Sequence, residues 1–372
     1  MKCTEIKKSA NGKSTFEFTV QKAEEARAFH RTVSGYEPTP LCRLGNLAKF
    51  LGIRDFYVKD ESKRFGLNAF KSLGGSFAMS RLLEGSAEKT TFVTATDGNH
   101  GRGVAWAAKM LGQEAVVYLP KGTAAERLEN IRLLGAHAEI LDLIYDDCVR
   151  YAVRMAEENG WILIQDTSWE GYEEIPAMIM QGYTTMGLEI AGQLGDSVPT
   201  HVFLQAGVGS FAGAMASFLA DLYGEKKPVI TIVEPTGADC IFKTAEAADG
   251  QLHFVTELNS IMAGLNCGEP CTLAWEMIEK YADFAISCED FNAADGMRIL
   301  GNPLPGDERI ISGESGASAA GAAANILLRE ENAGIRKKLG LDENSVVLCV
   351  STEGATDREN YRNVTWFGKY AG

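Results

Sequence analysis

The sequence predicts an α/β protein of two lobes, each a mainly parallel twisted sheet with helices on both faces. Three observations carry that expectation. Short apolar stretches alternate with amphipathic ones from about residue 90 onward. Several of the amphipathic stretches end on a glycine, a common helix stop. The alternation breaks once, after a long helical stretch ending near residue 195, and then resumes without a low-complexity linker. Near-continuous apolar runs between helices belong to βαβ units and to a parallel sheet covered on both sides.

The elements follow in order. "DFYVKD" reads as a strand and "SLGGSFAMSRLL" as the helix after it. "TTFVTAT", "EAVVYLP", "HAEILDL" and "WILIQD" read as four buried strands. Between them "NHGRGVAWAAKMLG", "AAERLENIRLLG" and "DDCVRYAVRMAEENG" read as helices, and "PAMIMQGYTTMGLEIAGQLG" as a long one that closes the set. The second set runs through the strand "THVFLQAG", the helix "FAGAMASFLADLYG" and the strand "PVITIVEP". It finishes with the small-residue helix "GASAAGAAANILL" and the strand "SVVLCVST". This order assigns 1–79 and 190–372 to a large domain and 80–189 to a small one. Packed lobes of this kind leave a cleft at the carboxyl ends of parallel strands, where small molecules bind.

Composition excludes several function classes. The chain has 372 residues, 45% hydrophobic and 23% charged, which is ordinary for a globular protein. A net charge of -14 argues against a nucleic-acid partner and against an anionic membrane surface. No run of apolar residues is long enough for a membrane span, and the first twenty residues lack a signal-type apolar core. Eight cysteines are too sparse for a disulfide scaffold. Cys267 and Cys271 in "NCGEPC" have no second pair to complete a metal site, so no metal is expected. A cytoplasmic protein follows.

Four constellations carry chemistry. In "NAFKSLGG" Lys71 lies between apolar neighbours and two glycines. Apolar surroundings favour the neutral amine that attacks a carbonyl, and Gly74 and Gly75 let a planar group approach the backbone. The alternative is a lysine at a helix start with its head in water. In "QAGVGSFAG" the residues Gly207, Val208, Gly209 and Ser210 turn backbone N–H groups inward at a helix N-terminus, a cradle for a phosphate. The same loop also satisfies a dinucleotide pattern through Gly207, Gly209 and Ala212, with Glu234 ending the next strand as the ribose-binding acid. In "TATDGNHGRG" Asn99 offers an amide beside a helix N-terminus, or the Asp-Gly pair is only a turn. In "VLCVSTEGATD" Ser351 ends a strand, where its hydroxyl meets a ligand or simply satisfies the strand end.

In this order the four resemble the pyridoxal-phosphate enzymes of the tryptophan synthase β type, fold type II, from about residue 40 to 355. The likeness is closest to the diaminopropionate ammonia-lyase family and rests on "KDESKRFGLNAFKSLGGSFA", "TDGNHGRGVAWAAKMLG", "QDTSWEGYEEIPAMIMQGY" and "MAGLNCGEPC". The resemblance implies pyridoxal 5'-phosphate bound to Lys71 as a Schiff base. It places Asn99 on the ring hydroxyl, Gly207 to Ser210 on the phosphate, and Ser351 on the ring nitrogen, with Thr352 as the less favoured alternative. A hydroxyl rather than a carboxylate at that nitrogen favours elimination over transamination.

The same resemblance implies α,β-elimination of an amino-acid substrate, 2,3-diaminopropionate, to pyruvate and two ammonia. It also implies a homodimer. Asp97 stands where dehydratases usually carry a small residue. A carboxylate so near the substrate's own carboxylate is unfavourable unless it has a role. It could attract the second ammonium of the substrate or take the Cα proton. With Lys71 on one face and Asp97 on the other, one site would accept both the D and the L substrate. Asp166, at the end of "WILIQD", matches a second acid of the family, although "QDTS" also reads as a cap or turn. The alternatives are a serine or threonine dehydratase of the same fold, distinguished by Asp97, and an NAD(P)-dependent oxidoreductase, which leaves "NAFKSLGG" unexplained. A catalytically silent ligand-binding protein is disfavoured because every candidate catalytic residue is present.

Overall fold

The structure is a computed structural model that describes residues 1–8, 16–86, 88–96 and 98–372. Among the described residues the strands are β1 (Lys2–Glu5), β2 (Leu41–Arg43), β3 (Asp55–Asp60), β4 (Thr91–Ala95), β5 (Glu114–Leu119), β6 (His137–Ile140), β7 (Ile162–Leu163), β8 (His201–Gln205), β9 (Val229–Pro235), β10 (Phe284–Cys288) and β11 (Val346–Ser351). They form a seven-stranded sheet, β1-β10-β9-β8-β11-β3-β2, and a four-stranded sheet, β6-β5-β4-β7. The small sheet is parallel throughout. The large one is parallel from β10 to β3, with β1 and β2 antiparallel at its two edges. This is the two-lobed, mainly parallel α/β architecture expected.

The central strands form because their sequences suit burial on both faces. "HVFLQ" of β8 and "VVLCVS" of β11 are buried at every position, as a strand covered by helices on both sides must be. The antiparallel edges and β10 escape the sequence pattern: β1 and β2 are four and three residues long, too short to show a period. The small sheet lies wholly within 80–189 and the large sheet wholly outside it. The proposed boundaries themselves cut through the helices Ser72–Leu82 and Glu174–Leu194.

Those two helices position the lysine. They cross almost backbone to backbone at Gly74 and Gly182: a Cβ on Gly182 would lie 2.6 Å from the Leu73 carbonyl oxygen, and one on Gly74 2.8 Å from that of Ile179. Only glycine permits so close an approach. Upstream, the turn between β3 and Lys71 is pinned by a buried ion cluster. Arg64 donates to both carboxylate oxygens of Glu189 (2.8 and 2.7 Å) and to Glu61, while Lys59 pairs with Glu189 at 2.7 Å. Burial alone would raise the Glu189 carboxyl, but the two cations hold it below its ordinary value.

In the large sheet β9 and β10 continue outward from β8, whereas β11 and β3 lie on its other side. The strand order therefore reverses between β8 and β11. Ligands of open α/β sheets bind in the crevice beyond the carboxyl ends at such a reversal.

A candidate cofactor cavity at the lobe interface

A cavity of about 650 Å³, open mouth included, occupies that crevice. Gln205 to Phe211 line it from the end of β8, Thr352 and Glu353 from the end of β11, and Asn99 and Asp166 from the small lobe. Lys71 and Phe70 close it from the helix side. Lys71, Asn99, Asp166, Gly207, Val208, Gly209 and Ser210, each expected at a ligand from sequence, thus meet in one cavity.

Lys71 caps the N-terminus of the helix Ser72–Leu82. Its Nζ lies 2.6 Å from Oδ2 of Asp166. The sequence points to apolar flanks as the amine's environment, and Phe70 does pack beside it against Tyr183 and Phe211, with centroids 4.8 and 5.0 Å away. The dominant neighbour is nonetheless a carboxylate. Asp166 is 3% exposed. Burial would raise its carboxyl, but His100 and Lys71 override that and hold it below its ordinary value. His100 Nδ1 stands 3.7 Å from Asp166, and its Nε2 faces the Ile164 carbonyl oxygen at 2.8 Å. Both ring nitrogens therefore face oxygen. The Asp166 main-chain oxygen accepts from the Ser210 hydroxyl at 2.5 Å, so the acid is tied to the glycine loop across the interface.

The glycine loop has the form of an anion cradle. Gly209 adopts φ +100°, a left-handed conformation, immediately before the helix Ser210–Tyr223. A Cβ there would meet Ile241 Cδ1 at 2.8 Å, and one on Gly207 would meet Cys267 Sγ at 3.1 Å. The first N–H groups of a helix have no intrahelical partner and carry partial positive charge. Two buried polar atoms of the lining lack a hydrogen-bond partner among the described residues, Tyr183 Oη and Gln205 Oε1. A polar ligand with a phosphate fits this lining: cradle, amine, amide and orphaned polar atoms converge on one space.

Not every expected residue reaches it. Ser351 is fully buried and turned away: its hydroxyl donates to Ser312 Oγ at 2.7 Å, and it does not line the cavity. Thr352, the alternative, does line it, as successive side chains of a strand point to opposite faces. Its Oγ1 accepts from Gln205 Nε2 at 3.0 Å, which leaves its own proton to donate. Asp97 lies outside the described residues. Glu234 is not a ribose acid. It is completely buried, and its carboxylate accepts from the Ile241 and Phe242 N–H groups (3.0 and 2.6 Å) at the start of the helix Cys240–Ala247. Among the described residues no two cysteines are joined by a disulfide.

Sequence reasoning misses Tyr183, Ser315, Glu353 and Glu314. The first three line the cavity. Tyr183 sits mid-helix, where an aromatic reads as core. Glu353 lies in "STEGATD", only two residues past Ser351. Glu314 borders an adjoining cavity with Arg127 and Asn360 and accepts a bond from the Asn360 amide. Burial first, then the nearby Glu353, push its carboxyl up to about 7 from the usual 4.5. The folded state thus holds this proton more tightly than the unfolded chain. Its stabilising share is present below about pH 4.5 and is lost as pH rises to about 7. Glu314→Gln should therefore leave stability unchanged at pH 4 and raise it by about 1–3 kcal/mol at pH 8. Urea unfolding at the two pH values checks this; equal stability of variant and parent at pH 8 would contradict it.

Comparison with known proteins points to one family. Residues 33–352 match the model of the family described as pyridoxal-phosphate dependent enzyme. The chain is 47% identical to diaminopropionate ammonia-lyase of Escherichia coli over 97% of its length and 95% of the relative's. It is 46% identical to the enzyme of the same name from Salmonella typhimurium, over 93% and 92%. A crystal structure of the Escherichia coli protein, in complex with an aminoacrylate-PLP azomethine reaction intermediate, superimposes with a TM-score of 0.93, covering 100% of this chain and 98% of that one. With its cavity, its amine and its glycine loop in these places, the chain belongs to the pyridoxal-phosphate dependent enzymes of fold type II and, within them, to the diaminopropionate ammonia-lyase family.

Proposed function

We propose that the protein eliminates ammonia from D- and L-2,3-diaminopropionate, yielding pyruvate and a second ammonia. The observation that carries the reading is the Lys71–Asp166 pair, 2.6 Å apart in a cavity that also holds the glycine cradle. The family named by the relatives supports the substrate. Lys71 would hold the cofactor covalently, Asn99 its ring hydroxyl, and Gly207 to Ser210 its phosphate. The ring nitrogen we assign to Thr352 in place of Ser351, because Thr352 lines the cavity with a proton to donate. When bound, pyridoxal phosphate supplies an electron sink for the charge that develops at Cα.

The chain's own residues would then move protons. The Cα–H bond breaks to a base, the Cβ–N bond breaks with its electron pair going to nitrogen, and that nitrogen must gain a proton to leave as ammonia. Lys71 is the base for one enantiomer. Once Lys71 has taken the proton, Asp166 holds the charged amine in place beside the leaving group's path, with His100 facing the same carboxylate oxygen. Asp97 is proposed from its sequence position as the base for the other enantiomer. Released aminoacrylate hydrolyses to pyruvate and the second ammonia. We further read the protein as a cytoplasmic homodimer. Among the described residues no helix is long and apolar enough to cross a membrane, and sedimentation of the purified protein would test the dimer.

The deciding experiment offers D- and L-2,3-diaminopropionate and L-serine in parallel and measures pyruvate, with Asp97→Asn run beside the parent. Turnover of both diaminopropionate enantiomers well above serine is expected, with one enantiomer selectively lost in Asp97→Asn. Serine turnover alone would make the protein a dehydratase of the same fold. Wild-type rates with both enantiomers in the variant would remove Asp97 as a base.

A further inference from the structure

Glu353 has no part in the reading above, yet it is one of the most constrained groups in the cavity. It is 1% exposed. Its main chain is fixed to the strand-like segment just ahead of Lys71: Ala69 and Glu353 form an antiparallel bridge, Phe70 donates to the Thr352 carbonyl oxygen at 3.2 Å, and Gly354 donates to that of Asn68 at 2.9 Å. Its carboxylate collects donors from two helices and from its own loop. Oε1 accepts from the Ser315 N–H at 3.2 Å, and Oε2 accepts from the Thr356 hydroxyl at 3.3 Å and from Nδ2 of Asn99. Room for it is made by Gly313, where a Cβ would lie 3.0 Å from Oε1.

The Asn99 contact crosses the lobe interface. Asn99 is the first residue of the helix Asn99–Met110 in the small lobe, and Glu353 follows β11 of the large one. A primary amide has two N–H donors on one side and an acceptor oxygen on the other. A carboxylate can only accept. Contact with Glu353 therefore fixes which end of the Asn99 amide faces the large lobe, and one N–H of the same nitrogen is left to point elsewhere from a residue that lines the cavity. A glutamine or an apolar residue at 353 would not impose that choice.

We infer that Glu353 is a positioning residue for the cofactor: it locks the Asn99 amide with its nitrogen toward the ring hydroxyl and acts through Asn99. The inference rests on Lys71 and Asn99 holding the cofactor as proposed. A carboxylate that merely clamped the lobes would contribute to stability without touching the cofactor's affinity or spectrum.

The test uses the holoenzyme and four chains: the parent, Glu353→Gln, Asn99→Ala and the double variant. Glu353→Gln keeps the shape, so it guards against an outcome that reflects misfolding, which circular dichroism checks. Cofactor dissociation is measured by equilibrium dialysis, and the visible absorption band of the lysine-bound cofactor is recorded. Glu353→Gln should weaken cofactor binding about tenfold and move the band. In the double variant it should add less than about twofold to the effect of Asn99→Ala, since a group acting through Asn99 has nothing to orient once the amide is gone. Multiplicative effects in the double variant would overturn the inference, as would an unchanged affinity and band in Glu353→Gln. A parent protein with no lysine-linked band would instead overturn the cofactor assignment beneath it.

Discussion

Lys71→Ala is expected to abolish pyruvate formation, by about 10⁴-fold or more, because it removes both the attachment point and a proton carrier. The check has two parts. Steady-state assay reads the loss. Borohydride reduction followed by peptide mass analysis reads the covalent link, which should be present on the peptide containing Lys71 in the parent and absent in the variant. A reduced adduct that survived in the variant would place the attachment elsewhere. The substitution also leaves Asp166 without its nearest cation, 2.6 Å away. Removing one partner of a buried pair costs about 3–5 kcal/mol when the other charge is stranded. Here His100 remains at 3.7 Å and the Lys71 side chain is 18% exposed, so water can enter. A stability loss toward the low side, about 1–3 kcal/mol, is expected.

Asp166→Asn keeps the shape and removes the charge. Its expected effect is a fall in kcat of about 10²–10⁴, the range for a group that holds or moves a proton in the transition state. The pH dependence discriminates between explanations. The parent carboxyl is held below its ordinary 3.8 by His100 and Lys71 against the effect of burial, so it is ionised throughout the range where the enzyme is assayed. The variant's deficit should then be the same at about pH 6 and pH 9, a flat ratio rather than a shifted curve. A ratio that returned toward one on the alkaline side would mean that Asp166 acts chiefly by protonation of something else. The linked effect on stability has the opposite sense to that of Glu314. A depressed carboxyl stabilises the fold above its unfolded value and loses that contribution only as pH falls through its folded one.

How much of the site is legible in the sequence follows from where each residue sits. Lys71, Asn99, Asp166 and the Gly207–Ser210 loop stand at element ends, beside glycines or at helix N-termini, where local sequence carries the physical requirement. Between Ser351 and Thr352 the sequence favours the residue that does not line the cavity. A strand alternates faces at every residue, and the apolar run "VVLCV" in β11 is buried on both sides, so nothing in its pattern says which hydroxyl, Ser351 or Thr352, faces the ligand. Glu234 resembles a ligand acid because it ends a strand at the expected distance from the glycine loop. Its carboxylate is instead used up by two N–H groups of a short helix, an arrangement that spacing does not encode. Tyr183 and Glu353 are illegible for a related reason: each is brought to the cavity by what lies across from it, and tertiary neighbours have no local signature. The parallel core is legible through its apolar runs, while the edges β1 and β2 are not.

The position of β11 has a consequence for biosynthesis. It is the last strand among the described residues, yet it lies between β8 and β3 in the middle of the large sheet. While the protein emerges from the ribosome, β3 and β8 therefore have no partner to join them, and the wall carrying Thr352 and Glu353 does not yet exist. The small sheet, whose four strands fall in one stretch of sequence, can assemble early, but the cofactor crevice closes only with the final strand. Pairing of such distant segments is slow and leaves strand edges exposed in the interim. A nascent chain stalled before residue 346 should thus carry a folded small lobe and be unable to retain the cofactor, which makes capture of the cofactor a late event rather than a nucleus for folding.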